Sequence, residues 1–109
     1  MSAQELVRIV ELLTKQVSHW TEERWTAPAT PGGPARAEVV HGLIQRLADL
    51  AADTEGEVRR PVPRLENDLA LPDQLRVVAA DLIAAGASDL LTHAAAADVA
   101  EVRGELTGS

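Results

Sequence analysis

Apolar residues recur at alternating spacings of four and three in this chain, and that spacing gathers them on one side of an α-helix. Leu6, Val10, Leu13, Val17 and Trp20 form the first such stripe, widened by Ile9 and Leu12. Val40, Leu43, Leu47 and Leu50 form a second, with Ile44 and Ala51 alongside. Leu71, Leu75, Val78, Leu82 and Ala85 form a third, with Ile83 beside it. A chain of 109 residues carrying several such faces can bury them only against one another, so the fold must be built of helices packed on helices.

Capping and breaking residues divide the chain between these stripes. Ser2 and Glu5 stand in S-x-x-E spacing, which starts a helix over residues 3–20. Thr21 caps a short further turn through Trp25, and ATPGGP then stops any helix. Pro34 suits the first turn of a helix over 34–53, where Gly42 leaves room for another helix to approach. Residues 54–71 contain Gly56, Pro61 and Pro63 and follow no period, so they are expected to cross the bundle as an extended connection pinned by Val62, Leu65 and Leu69. Pro72 opens a helix over 72–85, and Gly86 ends it. Ser88 caps the last helix, 88–103, whose stripe is Leu91, Ala95, Val99 and Val102 before Gly104. The expectation is an all-α single domain spanning 1–109, an up-and-down four-helix bundle with a long second connection whose last two helices form a tight antiparallel hairpin.

Composition narrows the partners. Phe and Tyr are absent, so the core must be aliphatic apart from Trp20 and Trp25. The net charge of −7 repels a phosphate backbone, and two aromatic residues offer little for bases to stack on, which argues against nucleic acid. The prolines of EVRRPVPRLE are flanked by Arg59, Arg60 and Arg64, which read as solvated loop residues or as a local docking patch. With no cysteine there are no disulfides, no thiolate nucleophile and no Cys-ligated zinc. Charged residues interrupt the first twenty positions, so neither a signal peptide nor a membrane span is expected and the chain reads as cytoplasmic.

Few residues suggest chemistry. His19, His41 and His93 fall on three different helices, and Asp89 with His93 has the i, i+4 relation used in metal sites of bundles. At about 100° per residue, however, His41 lies roughly 140° and His93 roughly 160° from their apolar stripes, which turns both away from the core. Thr14, Ser18, Ser88 and Thr92 lie in no nucleophile elbow, and ATPGGPA has no phosphate-loop context. The last two helices carry Asp73, Asp81, Asp89, Asp98 and Glu101, the wrong charge for a DNA-reading pair. Trp20 and Trp25 either close the core or anchor a partner.

The stretch WTAPATPGGPARAEVVHGLIQRLAD resembles the DinB/YfiT-like four-helix superfamily, which includes the mycothiol-dependent maleylpyruvate isomerase N-terminal domains. In that family a Pro-Gly turn precedes a second helix bearing a metal-binding histidine. The resemblance implies His41 in that place, Asp89 and His93 as the acid and histidine of the last helix, a divalent metal such as Zn or Ni, and a thiol-dependent transferase or isomerase. From the residues themselves the leading expectation is different: a small interaction or regulatory module without catalytic activity, self-associating or binding a protein partner, with no cofactor.

Overall fold

The structure, a computed structural model, describes residues 2–107. Among these lie five α-helices and no strand: α1 (Ser2–Val17), α2 (Glu22–Thr26), α3 (Arg36–Glu55), α4 (Leu71–Ala84) and α5 (Asp89–Thr107), with a 3-10 turn at Asp68–Ala70. The protein is all-α. Among the described residues no helix is long and apolar enough to cross a membrane.

Leu6, Val10, Leu13 and Val17 are buried along α1 as their spacing requires, but the helix ends before Trp20. The Ser18 hydroxyl donates to the Lys15 carbonyl at 2.9 Å, and the Trp20 N–H reaches the Val17 carbonyl at 3.1 Å, so the chain tightens and leaves the helix with the indole still buried. The fifth helix is α2, whose N-cap Thr21 accepts the Arg24 N–H at 3.2 Å.

The ATPGGP loop folds back on itself. Ala29 N–H bonds to the Pro34 carbonyl at 3.3 Å and Arg36 N–H to the Ala27 carbonyl at 2.9 Å, around an isolated antiparallel bridge between Pro28 and Ala35. A Cβ on Gly33 would collide with the Thr30 hydroxyl, so the turn needs glycine there. Because the loop claims Pro34, α3 begins at Arg36 rather than Pro34. It runs two residues past Asp53 to Gly56, whose φ of 70° lets Glu57 N–H close on the Ala52 carbonyl at 2.8 Å. Gly42 serves no close helix approach: a Cβ there would meet only the Arg46 guanidinium, at 3.4 Å.

Pro72 sits in the first turn of α4 as expected, and Ser88 caps α5, accepting the Leu91 N–H at 3.2 Å. Two expectations for α5 need correction. Its buried face is Thr92, Ala95, Ala96, Val99, Val102 and Leu106, so the helix is turned away from Leu91, which is half-buried. It also continues through Gly104 to Thr107, because Leu106 is buried in the core.

The four long helices share one core. α1 packs on α5 and α4, and α3 packs on α4 and α5. The expected α4–α5 hairpin is absent: joined by residues 85–88, these two helices scarcely touch and lie on opposite sides of the core. Ala95 and Ala96 are buried on α5, and side chains that small let a neighbouring helix come close. Polar contacts fasten the neighbouring pairs. Arg46 of α3 grips Asp98 of α5 with two bonds of 2.7 and 2.9 Å, which raises the guanidinium pKa above its ordinary value. Arg76 of α4 reaches Glu11 at 3.0 Å and the buried Thr14 hydroxyl at 3.1 Å on α1.

Candidate functional site

Three places in the molecule bring side chains together in ways that spacing along the chain does not reveal. The first is the connection after α3. Residues 57–67 run extended across α3 and α4, and a row of polar residues on α3 holds them down. Gln45 accepts the Val62 N–H at 2.7 Å, donates to the Arg60 carbonyl at 3.0 Å and is itself braced by Asp49 at 3.0 Å. One turn earlier, His41 Nε2 donates to the Val62 carbonyl at 2.9 Å. Both polar groups of the Val62 backbone are thus satisfied by side chains, as a neighbouring strand would satisfy them. On α4, Gln74 donates to the Pro63 carbonyl at 3.2 Å. His41 is therefore half-buried rather than on open surface, because the strap covers the polar flank of α3. The strap is pinned by Val62, but Leu65 and Leu69 are exposed; the buried residue there is Asp68, paired with Arg64 at 2.9 Å. Between the strap and the ends of α3 and α4 a cleft of about 500 Å³ remains, lined in part by Ala51, Ala52, Val58 and Ala84.

The strap's arginines do not act as one patch. Arg59 folds back on Asp53 with bonds of 3.0 and 2.7 Å, and this fork holds the Asp53 carboxyl below its ordinary value. Arg64 is spent on Asp68. Arg60 is exposed, with its carbonyl turned to Gln45.

The second place is the corner between α1 and α3. Trp20 and Trp25 meet edge to face, ring centroids 4.9 Å apart and planes at 66°. Trp25 is fully buried at 0% exposure and Trp20 nearly so, so both indoles close the core. The Arg24 and Arg36 guanidinium groups lie 4.8 and 5.7 Å from the Trp20 ring centroid.

The third place is the seam between α1 and α4. Val7, Val10, Ala79, Ala80 and Ile83 line an apolar groove of about 360 Å³, continued toward the N-terminus by Ala3 and Gln4. Val7 stands 50% exposed at its edge, and Val77 is 58% exposed on the next turn of α4. Arg76 and Glu11, which also line the groove, pair with each other, Arg76 reaches Asp73 as well, and the bond to Glu11 is the first cause that raises the guanidinium pKa.

The candidate metal residues are not drawn together. His41 faces the strap, while His93 Nδ1 meets Glu5 of α1 at 2.8 Å on the surface, and Asp89 stands exposed in the first turn of α5. His19 is exposed beside Trp20. Among the described residues no three His, Asp or Glu side chains converge as a metal would need.

Fold and grooves together define an all-α protein of closely packed helices with an apolar groove along the α1–α4 seam. Comparison with known proteins adds no family: no protein-family model, no curated protein and no solved structure matches the chain.

Proposed function

We propose that this protein is a small cytoplasmic interaction module that self-associates through the α1–α4 groove and carries no catalytic site of its own. The observation that carries this reading is a groove lined mainly by Val7, Val10, Ala79, Ala80 and Ile83, with Val7 half exposed at its edge. Contiguous apolar surface of that kind marks association sites. Charge supports a second copy as the occupant. The chain as a whole repels itself at −7, but around the groove Arg8 and Arg76 stand against Glu11 and Asp73, so two copies meet there with little repulsion. The reading of the fold as a four-helix bundle rests on the core shared by the four long helices. Their pairing, with α4 opposite α5, favours a crossed path over an up-and-down one.

Light scattering across a concentration series tests the proposal. The chain is expected to shift from monomer toward dimer, and Val7→Glu and Ile83→Glu to keep it monomeric, while Leu65→Glu on the exposed strap leaves dimerisation unchanged. A strict monomer at every concentration, or equal loss of dimer from Leu65→Glu, overturns it.

A further inference from the structure

We infer that the cleft between the strap and the C-terminal ends of α3 and α4 is a binding site for an organic cation, a primary ammonium group carried on an aliphatic body. The cleft meets the α1–α4 groove only at Ala84, so the inference does not depend on self-association.

The cleft follows from how the strap is held. Side chains of α3 and α4 grip its backbone at Arg60, Val62 and Pro63, while the helix surface beneath is built from Ala48, Ala51 and Ala52 of α3 and Ala84 of α4. Alanines are too short to fill the space under a segment held in this way, so about 500 Å³ stays open over an apolar floor. Val58 lines the cleft from the strap side and is 81% exposed, which leaves more apolar surface for a ligand to cover.

Two helix ends set the electrostatics. The last turn of α3 contributes Ala52 and Glu55 and the last turn of α4 contributes Asp81 and Ala84, so both helices bring their C-terminal ends to the cleft. A helix C-terminus carries the negative end of the summed peptide dipoles, and a basic side chain in the last turn complements it. Lys15 does so in α1 and Arg24 in α2, but neither α3 nor α4 has a basic residue there. Carboxylates stand in the cleft instead. Glu55, Glu57 and Asp81 line it against the single guanidinium of Arg60, which leaves two negative charges in excess, and among the described residues none of these four groups is in an ion pair. Asp53, also in the last turn of α3, is matched by Arg59 and does not change the balance. The other clefts differ: Arg76 meets Glu11 in the α1–α4 groove, and the cleft beside Arg8 and Lys15 has more cations than carboxylates.

The same features choose the ligand. Among the described residues no three carboxylate or imidazole groups converge as a bare metal ion needs, so the negative charge is spread around an apolar floor. A cation at one end of an aliphatic body satisfies both. No aromatic ring lines the cleft to receive a quaternary ammonium, whereas a primary ammonium brings three N–H donors for carboxylate oxygens.

Hexylammonium is the probe, with hexanol as its neutral isostere and magnesium as a bare cation, each titrated into the isotope-labelled full chain and followed by NMR. Hexylammonium is expected to give saturable shifts in amides lining the cleft, such as those of Ala52, Val58 and Ala84, at concentrations where hexanol and magnesium give none. Asp81→Asn, a change at an exposed position, is expected to keep cooperative unfolding and to weaken hexylammonium at least about tenfold, the loss of one charge-assisted bond. Glu101→Gln makes the same change of net charge on exposed α5 surface outside the cleft, and at physiological salt it should leave the affinity within about twofold. Unchanged affinity in the folded Asp81→Asn variant, equal weakening by Glu101→Gln, equal shifts with hexanol or magnesium, or no saturable shift at all each overturns the assignment.

Discussion

Gln45 holds the backbone of Val62 with its side-chain oxygen at 2.7 Å, seventeen residues away in the chain, while His41 one helical turn earlier takes the carbonyl of the same residue. Two side chains on one helix face thereby do for an extended segment what a β-strand does for its neighbour. The consequence is that residues 57–67, with two prolines and little apolar burial, are ordered against α3 without belonging to any regular element.

Gln45→Ala is expected to cost about 1–2 kcal/mol and His41→Ala about 0.5–1.5 kcal/mol in urea unfolding, the net worth of the hydrogen bonds removed. Both variants should be cut faster by trypsin within residues 57–67. The double variant should cost less than the sum of the two, since either change alone frees the strap and leaves the other side chain with less to hold. Full additivity with unchanged proteolysis would show that the strap is held elsewhere.

Leu47 and Leu82 lie at the centre of the core, both fully buried. Leu47→Ala and Leu82→Ala should each lower stability by about 2–5 kcal/mol, combining lost burial with the cavity left behind. Leu12, expected to widen the α1 stripe but exposed, should tolerate alanine within about 0.5 kcal/mol. Chemical denaturation of the three variants measures the contrast.

Asp53 and Arg59 make a sharper test at low pH. The Arg59 fork lowers the Asp53 pKa in the folded chain, so this pair stabilises the fold above the unfolded carboxylate value of about 3.9 and loses that contribution as pH falls through the folded value. Carboxyl chemical shifts followed by NMR should place the Asp53 midpoint below those of ordinary aspartates, and Arg59→Gln should return it to their range. At an exposed site the effect on overall stability should be small and should fade with added salt.

The helices, their caps and the polar turns between them were legible in the residues. The stripe from Leu6 to Val17, the cap at Thr21, the proline in the first turn of α4 and the cap at Ser88 all depend on neighbours within about four residues, and that range is what a local pattern encodes. The setting of His41 was not. Its angle from the apolar stripe says correctly that it avoids the centre of the core, but a period cannot say that a strap twenty-one residues on will cover that flank. Gln45 gave no signal for the same reason. The ties from Arg46 to Asp98 and from Arg76 to Glu11 span fifty-two and sixty-five residues, beyond any spacing rule.

Sequence by itself determined that this protein is all helix, that its core is aliphatic around two tryptophans, and where most of its helices begin. Only the tertiary structure decided which helices are neighbours, since α4 and α5 share a short link yet pack on α1 and α3 instead of on each other. The physical reason is that hydrophobic burial is non-directional. A stripe demands to be covered but does not name its cover, so the pairing of α5 with α1 is set by how whole faces pack together and not by the period along either helix.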